Sequence, residues 1–180
     1  MATLNLGRIK PVFRGAYNGS VSTSSNRWND TEPTATKFST STNGSVGGTP
    51  SLAENLIAYC FANTKGFFRA GCYTGTGSSS SPPFVATGFR PALVIQRRID
   101  ATCNWYIGDS KRLGYNPDTN ASYADIGNVE GTFDWIDLYA NGFRMAGTDT
   151  SHNYSGGSYI YMAWAEFPFV SSNGIAGVAR

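Results

Sequence analysis

Along most of this chain, apolar residues come in short alternating or continuous runs broken by Gly, Pro, Asn and Ser. In order, "LIAYCFA" (56–62) is followed by "NTKG", and "FFRAGCY" (67–73) by the polar "TGTGSSSSPP". "FVATGFRPALVIQRR" (84–98) holds a strand on each side of Gly88, and Pro91 marks an edge or a bend. "TCNWYIGDS" (102–110) alternates, and residues 111–131 read as a long polar loop. "TFDWIDLY", the turn "ANG", "FRMAG", the loop "TDTSHNYSGG" and "SYIYMAWAEFPFV" complete the series. Leu, Glu and Lys never recur at helical spacing for more than about a turn. Aromatic and β-branched residues suit pleated, half-buried surfaces, while Gly and Asn suit turns. The pattern predicts an all-β protein, an antiparallel β-sandwich of jelly-roll-like form.

The run "YIYMAWAEFPF" (159–169) is the most apolar-aromatic of all, and Glu166 is its only charge. A period of two places Ile160, Met162, Trp164 and Glu166 on one face, and Tyr159, Tyr161, Ala163, Ala165 and Phe167 on the other. Both faces are largely apolar, so the strand is expected to be central, with one face against a second sheet and the other open to a neighbouring subunit. A buried carboxylate needs a partner, so Glu166 is expected to anchor an arginine, either Arg90 or Arg144; Asp109 is expected to pair with Arg112.

The pattern weakens toward the N-terminus, giving three zones. Residues 1–17 form an extended arm with alternation at Leu4 and Leu6; its Arg8, Lys10 and Arg14 have no acid among them, and Phe13 is apolar. Such a basic strand suits docking on another chain, although an ordinary edge strand would read the same way. Residues 18–50 are dominated by Ser, Thr, Gly and Asn, with Trp28 and Phe38 as the large apolar anchors, and read as a linker. Residues 51–180 carry the β-domain.

Composition narrows the function classes. The 180 residues suit one domain, or one domain with an appendage, and the charged share of 14 % is low against a usual share of about 25 %. The net charge of +2 is too weak to argue for nucleic acid. No apolar run approaches a membrane helix, so membrane insertion is not expected, and no signal-peptide core follows the first charges. Cys60, Cys72 and Cys103 show no CxxC spacing and are expected to be buried free thiols. The single histidine, His152, sits in a polar loop and reads as solvated, and no metal centre or cofactor is implied. "NPDTNASYAD" (116–125) is only weakly suggestive of oxygen ligands for a cation.

Taken in order, "AYCFA", "YTGTG", "TGFRPALV", "WYIGDSKR", "YNP", "ANGFRM" and "YIYMAWAEFPF" resemble a domain common in tail-fibre and related structural proteins of marine bacteriophages and cyanophages. The opening "LNLGRIKPVFRGAYN" is similar to the segment that joins phage tail fibres to the virion, although "GSVSTSSNRWND" stands where those proteins carry an aromatic, acidic stretch. The resemblance implies a virion structural protein, assembled in the host cytoplasm, with a β-domain for contacting the host surface. Arg8, Lys10, Phe13 and Arg14 would attach it to other virion proteins, and fibre architecture implies a homotrimer. No catalytic residue is implied, and no enzyme activity is expected.

A host-surface glycan would be held by flat rings mixed with amide and hydroxyl groups. Tyr115, Asn116, Tyr123, Trp135, Asn153 and Tyr154 offer that mixture in or beside loops, and loops on a rigid scaffold commonly carry binding. The competing reading makes these rings core or subunit contacts. Two rival functions remain. One is a capsid decoration or head-fibre protein that stabilises the shell. The other is a depolymerase, which requires two carboxylates about 5–9.5 Å apart in a groove.

Overall fold

The computed structural model describes residues 36, 37, 60–112, 116 and 118–168. The chain divides into two compact units, Met1–Tyr59 and Cys60–Arg180. In the first unit only residues 36 and 37 are described, both exposed. The attachment arm with Arg8, Lys10, Phe13 and Arg14, the anchors Trp28 and Phe38, and Tyr115 all lie outside the described residues.

The second unit is all-β and antiparallel, with no helix among the described residues. Its strands are β1 (Phe68–Thr74), β2 (Phe84–Ala86), β3 (Pro91–Arg98), β4 (Tyr106–Asp109), β5 (Asp118–Tyr123), β6 (Gly131–Tyr139), β7 (Gly142–Met145) and β8 (Ser158–Ala165). They form one sheet in the order β1-β8-β3-β4-β5-β6-β7-β2. Strands β3 to β7 are thus a meander of sequential neighbours, while β8 returns to lie between β1 and β3. The last strand is thus flanked on both sides, but it lies next to the edge strand β1 rather than at the middle of the sheet. Strand β5 falls inside the stretch read as a loop; "DTNASY" contains one small apolar residue, Ala121, and gives no alternating signal. In "LIAYCFA", residues 60–62 are not in a strand, and 56–59 lie outside the described residues.

The sheet curls so that its two arcs share one core. Val94, Tyr106, Ala121, Trp135, Ile136, Leu138, Phe143, Met145, Tyr161 and Ala163 form a single buried cluster drawn from six strands, β3 to β8. Phe143 of β7 meets Tyr161 of β8 with ring centroids 5.2 Å apart, although these strands are not hydrogen-bonded neighbours. Strand β8 turns Tyr159, Tyr161 and Ala163 inward and leaves Ile160, Met162 and Trp164 half-buried on the outer face, the division its alternation predicts.

Strand β6 breaks the rule of two. Against β5, the step Asp118 to Asn120 is matched by Ile136 to Thr132, so β6 carries a bulge. Both Trp135 and Ile136 are therefore fully buried, and the inward set is Phe133, Trp135, Ile136 and Leu138. The indole needs room from a neighbour. A Cβ on Gly108 would lie 2.7 Å from Trp135 Cζ2, so glycine in β4 permits the packing.

Candidate functional site

Strand directions gather one set of loops at one end of the sheet: 75–83 after β1, 99–105 after β3, 124–130 after β5 and 146–157 after β7. The last of these is the best built. Asp149 turns it: its Oδ1 accepts from Ser151 N at 2.7 Å and its carbonyl from Asn153 N at 2.8 Å. Successive carbonyls of the loop are then met by side chains rising from the strands below. Thr150 O accepts from the Tyr159 hydroxyl at 2.9 Å and from Arg98 Nη1 at 3.3 Å. Ser151 O accepts from Gln96 Nε2 at 3.3 Å and from the Cys103 thiol at 3.6 Å. His152 O lies 2.9 Å from the Tyr73 hydroxyl, which also lies 3.2 Å from Gln96 Oε1. Burial pushes the Tyr73 and Tyr159 hydroxyls and the Cys103 thiol above their ordinary pKa values, so all three remain protonated donors at neutral pH.

Asn153 joins this loop to the glycine-rich one. It is fully buried. Its Oδ1 accepts from Thr76 N at 2.8 Å and Gly77 N at 3.2 Å, and its Nδ2 donates to Gly147 O at 2.7 Å and Ser78 O at 3.2 Å. Backbone bonds between Gly75 and the 156–157 pair close the same junction. The next residue, Tyr154, is 47 % exposed. The Arg98 guanidinium lies 4.4 Å from its ring centroid and is itself fixed by Asp100 at 2.6 Å. That ion pair holds the Asp100 carboxyl below its usual range.

His152 is not solvated. It is 1 % exposed, ringed by Tyr106, Phe133 and Trp135 at centroid distances of 6.3–6.4 Å. Neither ring nitrogen makes a hydrogen bond, and Nδ1 approaches Asp149 Oδ1 only to 3.9 Å. Burial lowers its pKa, opposed more weakly by Asp149 and by the nearby Ala146 carbonyl. Tyr106, facing it from β4, is pushed up to about 12 by burial.

Of the six residues expected to hold a glycan, Tyr115 lies outside the described residues and the other five separate. Trp135 is a fully buried core residue. Asn153 has its amide consumed by the chain itself. Tyr123 is half-buried, its ring 5.1 Å from that of Tyr106. Asn116 lies toward the other end of the sheet, where its amide donates to Leu138 O at 2.6 Å and accepts from Leu138 N at 2.7 Å. Among the described five, only Tyr154 is presented to solvent at the loop end. Arg98, which frames it, gives no loop signal because it closes a strand.

Five described carboxylates sit in ion pairs. Glu166 approaches Arg90 at 3.1 Å, outside hydrogen-bond geometry, and Lys111 at 3.3 Å; Asp109 holds Arg112 at 2.6 Å. Arg112 also reaches Glu130, and Arg144 pairs with Asp137 rather than with Glu166. The thiols differ from the expectation of uniform burial: all are free, but Cys60 and Cys72 are exposed and only Cys103 is buried. Among the described residues no group of three His, Cys, Asp or Glu side chains could hold a metal ion. No helix among them is long and apolar enough to cross a membrane.

No curated protein and no solved structure matches the chain. One family does, over a span that runs from within the N-terminal arm, across the predicted linker, to the end of the described β-domain. The chain belongs to the family described as a domain of unknown function, DUF7483, which matches residues 14–168.

Proposed function

We propose that the protein is a phage virion structural protein, a short tail fibre or tail-associated adhesin, whose β-domain presents a glycan-binding surface. The observation that carries the binding half of this reading is the build of the loop end. Asn153 and the buried donors beneath it fix the 146–157 loop, so Tyr154 stands exposed on a rigid base beside Arg98. A pre-organised ring loses little freedom when a sugar stacks on it. Non-catalytic binding fits the carboxylates, most of which are neutralised by arginine rather than facing one another across a groove. The virion half rests on the ordered motif series. Assembly as a trimer is supported by the half-buried Ile160, Met162 and Trp164 on the outer face of β8.

Localisation by cryo-electron microscopy on intact particles tests this reading. Density in three-fold bundles at the tail is expected. Density on the head lattice would refute it and make shell stabilisation the function.

A further inference from the structure

We propose that the outer face of strands β2, β7 and β6 is a carbohydrate subsite that stacks a pyranose ring on Phe84 and Tyr139 and binds its hydroxyls through Asp137 and Arg144. This rests on the reading of the domain as a glycan-binding module, but it moves the principal contact from the loops to a sheet face.

The register places the groups together. Phe84 of β2 is opposite Arg144 of β7, which is opposite Asp137 of β6, while Gly142 is opposite both Ala86 and Tyr139. The intervening Val85, Phe143 and Leu138 point into the core. The first set must therefore share the outer face. Two large rings are left exposed there, Phe84 at 49 % and Tyr139 at 39 %. They meet at 67° with centroids 5.9 Å apart, forming an angled corner rather than a closed stack. Gly142 is the floor of that corner. A Cβ there would lie 3.0 Å from Phe84 Cζ and 2.1 Å from Val85 O, so only glycine lets β2 and its ring close over β7.

Beside the corner stands a polar pair with bonding capacity left over. Arg144 Nε and Nη2 both bond to Asp137 Oδ2, at 3.0 and 2.5 Å. Among the described residues nothing bonds Asp137 Oδ1 or Arg144 Nη1, and neither atom is one of the buried polar atoms without a partner. The Asp137 side chain is only 9 % exposed, so its unused oxygen is held rigidly at the surface. One fixed acceptor and one fixed donor, side by side and next to apolar rings, match the hydroxyls and C–H face of a pyranose. Asp134 stands nearby, its pKa raised by burial and by Asp137, and this second acid disfavours a phosphate or other anion.

The test uses the full chain. Saturation-transfer NMR against the methyl glycosides and tetrasaccharides of glucose, galactose, mannose and N-acetylglucosamine identifies a binder, and titration gives its affinity. Loss of one stacking ring is expected to weaken binding about tenfold in Tyr139→Ala and in Phe84→Ala, while Tyr139→Phe retains it. Both rings are at the surface, and thermal unfolding verifies that each variant is folded. Binding that survives both alanine variants and is lost in Tyr154→Ala overturns this subsite and leaves the loop reading standing. Failure of the unaltered chain to bind any sugar in the panel overturns the subsite together with the glycan-binding reading.

Discussion

Removing the Asn153 amide is the sharpest test of how the loop end is built. Its side chain makes four bonds to backbone groups of two loops, two as acceptor and two as donor, from a fully buried position. A neutral hydrogen bond contributes about 0.5–1.5 kcal/mol net, and each partner left buried without a replacement adds to the loss. Asn153→Ala is therefore expected to destabilise the chain by about 3–5 kcal/mol, at the upper end for a single substitution. Asn153→Asp separates the two halves of the network. The carboxylate still accepts from Thr76 N and Gly77 N but faces the carbonyls of Gly147 and Ser78 without a proton. Burial and those carbonyls favour its neutral form, so its folded pKa lies above its unfolded one, and stability relative to the parent rises as pH falls and the group protonates. Urea unfolding followed by fluorescence of the buried Trp135 measures both variants between pH 4 and 8. A loss below about 1 kcal/mol in Asn153→Ala, or an aspartate variant whose deficit ignores pH, would refute the clamp. The original expectation of Asn153 as a ligand contact would then return.

Three further outcomes are expected. His152 has a folded pKa below its unfolded value of about 6.5, so its contribution is intact above that pH and is lost as pH falls through and below it. His152→Phe should flatten the acid slope of the unfolding free energy, and an unchanged slope would place the titration elsewhere. Glu166→Ala is expected to cost about 1–3 kcal/mol by leaving the Arg90 guanidinium without its carboxylate, whereas Lys111→Ala, at an 80 % exposed side chain, should change the unfolding free energy little. Under a mild alkylating reagent, Cys60 and Cys72 should modify in the folded chain while Cys103 reacts only on unfolding, as mass spectrometry of the labelled peptides would show.

The fold was legible where alternation survived. Both faces of β8, the two strands flanking Gly88 and the β6–β7 hairpin around "ANG" could be read from the residues alone. It was lost where the signal depends on tertiary contacts. Strand β5 offers the core only Ala121 and Tyr123, too little apolar alternation to announce a strand. At Trp135 the bulge inverts the face on which the alternation places the following residues, and a bulge is decided by the packing of Trp135 over Gly108. The polar loop residues misled for a related reason. An amide in a Gly- and Ser-rich loop serves a ligand or the chain's own backbone equally well, and only the positions of Thr76, Gly77 and Gly147 show that Asn153 serves the chain. His152 appeared solvated because its sequence neighbours are polar, yet its ring turns toward Tyr106, Phe133 and Trp135 from other strands. Phe84 and Tyr139 are exposed although each sits in a strand, because the register turns them to the outer face.

The placement of β8 sets the order in which the chain can complete itself. The meander from β3 to β7 pairs each strand with the next one along the chain. Among the described residues β1 has β8 as its only strand neighbour, and the β8 edge of β3 stays open until that same segment arrives. During synthesis, the earliest strand of the domain must wait through the whole meander for its partner. Pairing between such distant segments is intrinsically slow. A nascent chain halted before Ser158 would carry an unpaired strand and an open sheet edge together, the combination that invites association between chains. Docking of "SYIYMAWA" covers both of those edges at once.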